Sequence, residues 1–291
     1  MIIKEDFFMR TDKLVALIGA GGKMGRRIVP NLVKFGYRFV CCEKDEAGGK
    51  ALKDLGLAVL PTEEAVQKAD LVVFALPDAA LPALSRRLVP LLKPGATVIT
   101  LDPAAAHAGQ LYTREDCAFV VTHPCHPPLF GDRDTPEEKA DLFGGTAAVQ
   151  DIVIARMQAG EEAFLEAEQL CVHIFNPVAK CHRITVEQMA ILEPAAAEVV
   201  IALCATVMKE AIDEAVRRGV PEEAARAFLL GHIQIPLAIT LKSSNPFSDA
   251  AMIAVDYGRR HVLRDDWKKV FEPESIREVL GEMLHLAKAE A

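Results

Sequence analysis

The sequence lacks an excess of basic residues and lacks any long apolar run free of charge. Its 291 residues hold 33 Lys and Arg against 41 Asp and Glu, a formal net charge of −8. Because a nucleic-acid-binding protein usually carries a basic face, we expect no nucleic acid as a partner. No run of about 18 apolar residues is free of charge, so we expect no membrane-spanning segment. The longest uncharged helical stretch, Val199 to Met208, predicts a buried helix.

Two further absences concern the compartment. The segment Met1 to Asp12 mixes charges with apolar residues and has no continuous apolar core, so we expect no signal peptide there. The seven cysteines show no paired spacing of the kind that a disulfide framework needs, which favours free thiols in a reducing environment. We therefore expect a cytoplasmic globular protein.

The order of apolar runs predicts an α/β fold, with a Rossmann-type, mainly parallel sheet followed by an all-helical C-terminal domain. Short, continuously apolar runs separated by helical patterns are typical of a parallel sheet that is covered on both faces. The predicted strands are Leu14–Gly19, Arg38–Cys42, Leu57–Leu60, Leu71–Leu76, Ala96–Leu101 and Phe119–Thr122. The predicted helices between them are Arg26–Phe35, Thr62–Lys68 and Ala79–Lys93.

A long loop and a run of helices complete the chain. Residues 123–145 hold four prolines and three glycines, a length and composition typical of a functional loop. After Pro177 the pattern predicts helices only, over Thr185–Arg218, Pro221–Lys242, Ser248–Val262 and Glu274–Lys288. We therefore predict a dinucleotide-binding domain over residues 1–180 and a helical substrate-binding and dimerisation domain over residues 181–291.

The strongest local motif is a glycine-rich loop between the first strand and the first helix. Such a loop lets the backbone approach a pyrophosphate, while the start of the helix offers unpaired N–H groups. The spacing fits G-x-x-G-x-x-G better than a strict G-x-G-x-x-G, and a tight turn without a ligand is the alternative. The predicted cofactor contacts in the loop are Gly19, Gly21, Gly22, Lys23, Met24 and Gly25.

An acidic residue follows the second strand at the position where it can meet a ribose. Glu43 lies 18 residues beyond Gly25, and a carboxylate there would bind both ribose hydroxyls of NAD and repel the 2′-phosphate of NADP. Lys44, Arg26 and Arg27 keep NADP as the less favoured cofactor. A solvated strand end is the alternative interpretation of Glu43.

Two later strands also end in polar residues. The fourth strand is followed by Pro77 and Asp78, and the fifth by the run Leu101-Asp-Pro-Ala104. Because ligands bind outside the carboxyl ends of parallel strands, we expect Pro77 and Asp78 beside the nicotinamide. An ordinary strand-ending turn explains them almost as well.

The sixth strand runs into a cluster of histidine, cysteine and proline. The residues His123, Cys125 and His126 are close enough in sequence to suggest zinc, but no second cluster supplies further ligands. Rigid prolines could instead present a histidine to a substrate, or could serve the loop alone. We predict that His126 is an acid–base residue, that His123 binds substrate, and that the site holds no metal.

The helical half contributes four further candidates. Arg183 is suited to bind a substrate carboxylate, and Glu187 is either a second substrate contact or a charge at a helix start. Glu193 lies among apolar residues before Pro194, where a desolvated carboxylate suits acid–base chemistry, although a surface position is the alternative. His232 is a further acid–base candidate or a hydrogen-bonded core histidine.

Three motifs together carry a family resemblance. They are Gly19-Ala-Gly-Gly-Lys-Met-Gly25, His123-Pro-Cys-His-Pro-Pro128, and the segment from His182 to Pro194 that reads H-R-x-T-x-E-Q-x-A-I-L-E-P. In this order they resemble the phosphogluconate-dehydrogenase-like NAD-binding family that includes the D-apionate oxidoisomerases. The glycine loop is common to many dehydrogenases, whereas the other two motifs are more specific.

The resemblance implies a Rossmann domain, a helical domain and a homodimer built through the helices. It also implies NAD-dependent oxidation of a polyhydroxylated acid, D-apionate, to 3-oxo-isoapionate, in which the oxidation is coupled to a ketol-type shift. The general β-hydroxyacid dehydrogenases of the family carry a catalytic lysine on the interdomain helix. Here Lys180 precedes that helix, which disfavours 6-phosphogluconate as the substrate.

Three functions compete on the sequence alone. The first is an NAD-dependent oxidoreductase that acts on a small hydroxy acid, either D-apionate or the substrate of a generic β-hydroxyacid dehydrogenase. The second is an NAD-binding regulator without catalysis, and the third is a zinc-dependent hydrolase. The polar residues in the predicted cleft favour the first.

Overall fold

The computed structural model describes residues 12–286 and divides them into two compact units. The first unit holds the chain up to Ile191 together with the residues from Arg277 onward, and the second is Leu192–Ile276. Residues 181–191, which we placed in the helical domain, therefore belong to the first unit. The N-terminal segment for which we expected no signal peptide lies outside the described residues, apart from Asp12.

A single seven-stranded sheet forms the centre of the first unit, with the strand order β2-β1-β3-β4-β5-β6-β7. The strands are β1 (Leu14–Ile18), β2 (Arg38–Cys42), β3 (Leu71–Phe74), β4 (Thr97–Thr100), β5 (Ala118–Pro124), β6 (Gln150–Gln158) and β7 (Val178–Ile184). Neighbouring strands are parallel except for β5 and β6, which are antiparallel. The predicted mainly parallel, Rossmann-type sheet is confirmed.

The central strands are apolar because both faces of the sheet are covered. Every residue of β1, β3 and β4 is buried, and Leu17, Phe74 and Ile99 are among the fully buried side chains. A continuous apolar run is what such a strand requires. The predicted strand Leu57–Leu60 is wrong, because that segment contributes only an isolated bridge between Cys41 and Val59.

Helices cover the sheet of the first unit. They are α1 (Gly25–Lys34), α2 (Glu46–Asp54), α3 (Thr62–Lys68), α4 (Leu81–Leu88), α5 (Ala104–His107), α6 (Pro136–Ala140), α7 (Glu161–Ile174) and α8 (Val186–Ala190). Helix α2 was not predicted. It begins after Asp45, whose side chain accepts the Gly48 N–H at 2.7 Å and satisfies one of the unpaired donors of its first turn.

The segment after Pro177 starts as a strand, whereas the sequence predicted only helices there. Strand β7 pairs in parallel with β6, and the helical pattern begins only at Thr185, whose hydroxyl caps α8. Lys180 and Arg183 are exposed at this edge of the sheet, where charged side chains protect a strand from pairing with other chains. They interrupt the apolar run, and the strand was therefore missed.

Helix α8 continues into a segment of π-helix at Ile191–Ala202 and then into α9 (Leu203–Arg217). The π-helical segment contains Pro194. A proline removes one backbone donor from a helix, and wider π-helical spacing is one way in which a helix accommodates such a defect.

The second unit consists of helices that leave much of their apolar surface exposed. It contains α9, α10 (Glu222–Lys242), α11 (Asp249–Val262), a short 3₁₀ turn at Trp267–Phe271 and the start of α12 (Pro273–Met283).

The helical segments Val186–Arg217 and Glu222–Lys242 are long and apolar enough to cross a membrane. Only 11% and 6% of their most apolar windows are buried within the chain. The expected burial of Val199–Met208 is therefore wrong for the single chain, because its residues are exposed or half-buried. Within residues 12–286, much of this apolar surface is therefore left uncovered.

A buried amide on α1 links three segments of the first unit, and we predict that its loss lowers the stability. The Asn31 Nδ2 group donates to the carbonyls of Gly145, Ile174 and Asn176 at 3.0, 3.1 and 3.2 Å. Because Asn31→Ala would leave these carbonyls without their donor, it should lower the free energy of unfolding by about 2 kcal/mol in urea denaturation.

The matched control is Val33→Ala on the same helix, where the side chain is 57% exposed. It should change the free energy of unfolding by less than about 0.5 kcal/mol. Equal effects of the two substitutions would contradict the role of the Asn31 amide.

Candidate functional site

The glycine loop joins β1 to α1 by a backbone path that excludes side chains at two positions. Gly19 has a φ of +85°, and a Cβ on it would lie 2.3 Å from the Ala75 carbonyl oxygen. A Cβ on Gly25 would lie 2.3 Å from the Gly19 oxygen. A Cβ atom cannot lie this close to a carbonyl oxygen to which it is not bonded. The loop can therefore approach β3 and close on itself only with glycine at both positions.

Glu43 contacts this loop directly from the end of β2. Its Oε2 accepts the Gly21 N–H at 2.9 Å, and its Oε1 accepts the Asp45 N–H at 3.0 Å. The carboxylate therefore lies beside the loop and holds the loop to the second strand. Each carboxylate oxygen can accept a further hydrogen bond, so these two contacts leave Glu43 able to bind a ribose hydroxyl.

An open cleft of about 540 Å³ lies over the start of α1, and we call it the glycine-loop cleft. It is lined by Gly21, Gly22, Lys23, Arg26, Arg27 and Thr146. Three of these side chains are cationic, and the Arg26 Nε donates to the Gly21 carbonyl at 2.8 Å. The predicted contact Met24 does not line the cleft but packs against the core beneath the loop. The cleft is therefore suited to an anion.

The carboxyl ends of β3, β4 and β5 bring three ionisable groups together. Asp78 follows Pro77 in the turn after β3, and Asp102 follows β4. Burial, together with repulsion by the Asp102 carboxylate, raises the pKa of Asp78 to about 7. The ligand atoms of Asp102 and His123 lie within 4.8 Å of each other.

Burial lowers the pKa of His123 to about 4, so the imidazole is neutral at pH 7. Its Nδ1 lies 2.9 Å from the Pro124 carbonyl oxygen, which can only accept a hydrogen bond. The proton therefore sits on Nδ1, and Nε2 carries a lone pair. Asp102 was not among the predicted site residues, although the run Leu101-Asp-Pro marked the end of its strand.

His126 lies next to His123 in the loop after β5. It has a φ of +60°, rare for a residue with a Cβ, and its ring centroid is 5.9 Å from that of His123. The His126 Nδ1 donates to the Phe143 carbonyl at 2.8 Å. Among residues 12–286, His123, Cys125 and His126 do not come together as possible metal ligands within 4.8 Å of one another.

Arg183 and Glu187 each have a partner outside this group. The Arg183 guanidinium forms two hydrogen bonds with Glu168 of α7, at 2.7 and 2.6 Å, and lies over the Phe164 ring. It would have to leave Glu168 to bind a substrate carboxylate. Hydrogen bonds at the start of α8, chiefly with Thr185, lower the pKa of Glu187, which fits the alternative of a helix-start charge.

Glu193 and His232 belong to the second unit. Glu193 is half-buried in the π-helical segment just before Pro194. His232 is exposed on α10, stacks on the Phe228 ring at 3.9 Å, and donates from Nδ1 to the Phe228 carbonyl at 2.8 Å. The alternative of a core histidine is therefore wrong for the single chain, and the catalytic roles of both residues stay predictions.

Two family models match consecutive parts of the chain. Residues 9–129 match the NADPH-binding domain of acetohydroxy acid isomeroreductase. Residues 131–284, more than half of the chain, match the C-terminal domain of the decarboxylating phosphogluconate dehydrogenase. The second match agrees with the resemblance that the sequence motifs indicated.

Characterised relatives match nearly the whole chain. The D-apionate oxidoisomerase of Cupriavidus necator is 47% identical over 266 residues, which cover 91% of this chain and 96% of that protein. The D-apionate oxidoisomerase of Blautia hydrogenotrophica is 44% identical, with 94% and 96% covered.

Solved structures agree with this similarity. A semialdehyde dehydrogenase NAD-binding protein from Cupriavidus necator, in complex with calcium and NAD, is 45% identical, with a TM-score of 0.89 over 94% of this chain and all of that one. An NADH-preferring ketol-acid reductoisomerase from an uncultured archaeon shares the fold, with a TM-score of 0.70 at 21% identity and coverage of 96% and 85%. The chain belongs to the family of the D-apionate oxidoisomerases.

Proposed function

We propose that the protein is an NAD-dependent oxidoisomerase that converts D-apionate to 3-oxo-isoapionate. The observation that carries this proposal is the 42–47% identity to several D-apionate oxidoisomerases over at least 90% of the chain. A generic β-hydroxyacid dehydrogenase and a regulator without catalysis remain the alternatives that the experiments must exclude.

The residues of the first unit fit a dinucleotide. Glycine at positions 19 and 25 lets the loop pack closely and brings the start of α1 to the glycine-loop cleft, which supplies positive charge for a pyrophosphate. Glu43 lies on the β2 side of the loop, where it would bind the adenosine ribose and favour NAD over NADP. Bound NAD would supply the acceptor for the hydride that leaves the substrate.

The positions of the ribose and the pyrophosphate indicate that the nicotinamide and the substrate lie at the carboxyl ends of β3, β4 and β5. Since the ribose contact of Glu43 lies at β2 and the pyrophosphate at β1, the other half of the cofactor extends over the strands on the opposite side of β1. We infer that Pro77, Asp78, Asp102, His123 and His126 surround the substrate there.

The chemistry requires a group that both accepts and returns protons. Oxidation of the hydroxyl beside the carboxylate removes a hydride from carbon and a proton from oxygen. In the following shift, the neighbouring hydroxyl loses its proton and becomes the new carbonyl, while the hydroxymethyl group migrates. The first carbonyl oxygen then takes up a proton as it becomes a hydroxyl.

We infer that the Asp78–Asp102 pair performs these transfers. Because Asp78 has a pKa of about 7, the pair exchanges a proton readily near neutral pH. The neutral His123 offers an Nε2 lone pair, which can accept a hydrogen bond from a substrate hydroxyl.

The substrate assignment predicts formation of NADH when the protein is supplied with D-apionate and NAD. Mass spectrometry should identify the rearranged 3-oxo-isoapionate as the product, and 6-phosphogluconate should give no absorbance at 340 nm above background. NADH formed without rearrangement would indicate a generic dehydrogenase. NAD binding without turnover of any polyhydroxy acid would indicate a regulator.

The carboxyl pair predicts a pH dependence of kcat. Activity should rise as the pH increases through about 7, because the pair can accept a proton only after Asp78 ionises. Asp102→Asn removes a negative charge that raises the pKa of Asp78, so it should shift this rise to lower pH and reduce kcat about tenfold or more.

Two histidines near the pair must be distinguished from it in the pH profile. His123 titrates near pH 4, and His107 lies on α5, which packs against the turn of Asp78. His107→Gln tests that contribution, and the exposed Asp116→Asn serves as the charge-matched control. A pH profile that Asp102→Asn leaves unchanged would contradict the proposed role.

The exposed apolar face of the second unit supports the proposal of a homodimer. A soluble monomer rarely exposes so much contiguous apolar surface, and a second copy of the same helices would cover it. The exposed side chains include Ile201, Leu203, Val207, Phe228, Leu230, Ile235, Leu241 and Ile253.

We expect light scattering to give twice the chain mass of 31.7 kDa without detergent. Ile253→Asp, at a side chain that is 70% exposed, should weaken the dimer, because it would place a charge in the apolar interface. Val33→Asp, on the sheet-covering helix α1, should leave the mass unchanged. A requirement for detergent would indicate a membrane partner instead.

A further inference from the structure

A loop remote in sequence from the glycine motif forms one wall of the glycine-loop cleft. The Asp141 carboxylate accepts the backbone N–H groups of Thr146, Ala147 and Ala148 at 3.2, 2.9 and 3.1 Å. These bonds close residues 141–148 into a compact turn, which we call the 141–148 loop. Its Thr146 lines the cleft.

The 141–148 loop is fixed to α1. Gly145 has a φ of +85°, and its carbonyl accepts the Asn31 amide at 3.0 Å. A Cβ on Gly145 would lie 3.7 Å from the Cβ of Arg27, so the loop backbone packs against that side chain. The guanidinium of Arg27 lies 4.8 Å from the ring centroid of Phe143, which belongs to the same loop.

Arg27 carries a buried donor without an acceptor. Its Nε is inaccessible to solvent and has no hydrogen-bond partner among residues 12–286, although the side chain lines the glycine-loop cleft. A buried charged donor of this kind is costly unless a ligand satisfies it. The neighbouring backbone N–H groups, Lys23 and Arg26 all favour the same kind of ligand, which is an anion.

We propose that Arg27 binds the pyrophosphate of the dinucleotide and that Phe143 positions its guanidinium for this contact. The inference rests on the cofactor assigned above, in which the pyrophosphate is the anion at the start of α1. Arg27 lies on the second residue of the helix beyond Gly25, outside the glycine motif itself. Arg27 is thus a cofactor contact that lies outside the glycine motif, and the 141–148 loop holds its side chain in place.

Phe143 also joins this contact to the substrate side. Its carbonyl accepts the Nδ1 proton of His126, and the two rings lie 6.0 Å apart. Phe143 therefore contacts both Arg27, which we propose binds the cofactor, and His126 of the predicted substrate site. Phe143 is a positioning residue, since it acts through Arg27.

Binding of NAD, ADP and adenosine to the Arg27→Gln variant tests whether Arg27 binds the pyrophosphate. We expect the dissociation constants of NAD and ADP to rise about tenfold to a hundredfold, because both contain the diphosphate, and that of adenosine to stay unchanged in an NMR titration. Arg38→Gln, an exposed arginine at the start of β2, should leave all three constants unchanged.

Unchanged NAD and ADP affinity in Arg27→Gln would overturn the proposal. An equal loss for adenosine would also overturn it, since it would show that the variant acts through the fold. If the wild-type protein bound no NAD, the cofactor assignment would fail first and the inference with it.

A double-mutant cycle tests the positioning role of Phe143. Phe143→Ala should weaken ADP binding about threefold to tenfold in the wild-type background and have no effect in the Arg27→Gln background. Leu142→Ala, at the preceding side chain that is 64% exposed, is the matched control and should have no effect in either. Equal effects of Phe143→Ala in both backgrounds would exclude a role through Arg27.

Discussion

The site depends on the close approach of backbone segments at the end of β1. The Gly19 position faces the Ala75 carbonyl, and the Gly25 position faces the Gly19 carbonyl, at distances that no Cβ could occupy. This packing sets the start of α1 against the sheet and fixes where an anion can bind. It also brings Glu43 within hydrogen-bond distance of Gly21, so that the second strand and the loop form one rigid element. The places of the other candidate residues follow from this frame.

The parallel direction of the strands then brings the ionisable residues of the candidate site together. Because β1, β3, β4 and β5 run in the same direction, residues that are far apart in sequence meet at one edge of the sheet. Asp78, Asp102 and His123 are such residues, and burial raises the pKa of Asp78 and lowers the pKa of His123, which favours the neutral form of each of these two groups. An oxidation coupled to a shift of a carbon group needs a proton acceptor that can also donate, and a carboxyl pair with a pKa near 7 meets that requirement.

The sequence was sufficient for features that depend on local pattern. The glycine loop, Glu43, Asp78 and the central strands follow from apolar runs and their spacing. Asp102 was missed because one carboxylate at a strand end is indistinguishable from a turn until its partner is known. The pairing of Arg183 with Glu168 could not be predicted, since it required β7, whose charged edge residues resembled a loop. The contact of Arg27 with Phe143 depends on the folding of the 141–148 loop onto α1, which no local pattern encodes.

The protein is acidic overall, and its charges are distributed so that anionic ligands can still bind. The chain carries a net charge of −8, yet the glycine-loop cleft contains Lys23, Arg26 and Arg27, so the positive field that a pyrophosphate requires is local. At the reacting end, a fully ionised Asp78–Asp102 pair would repel a sugar acid. Since the pKa of Asp78 is raised to about 7, a proton on the pair reduces this repulsion when the substrate binds near neutral pH. The same raised pKa that prepares the pair for proton transfer therefore also permits an anionic substrate to approach it.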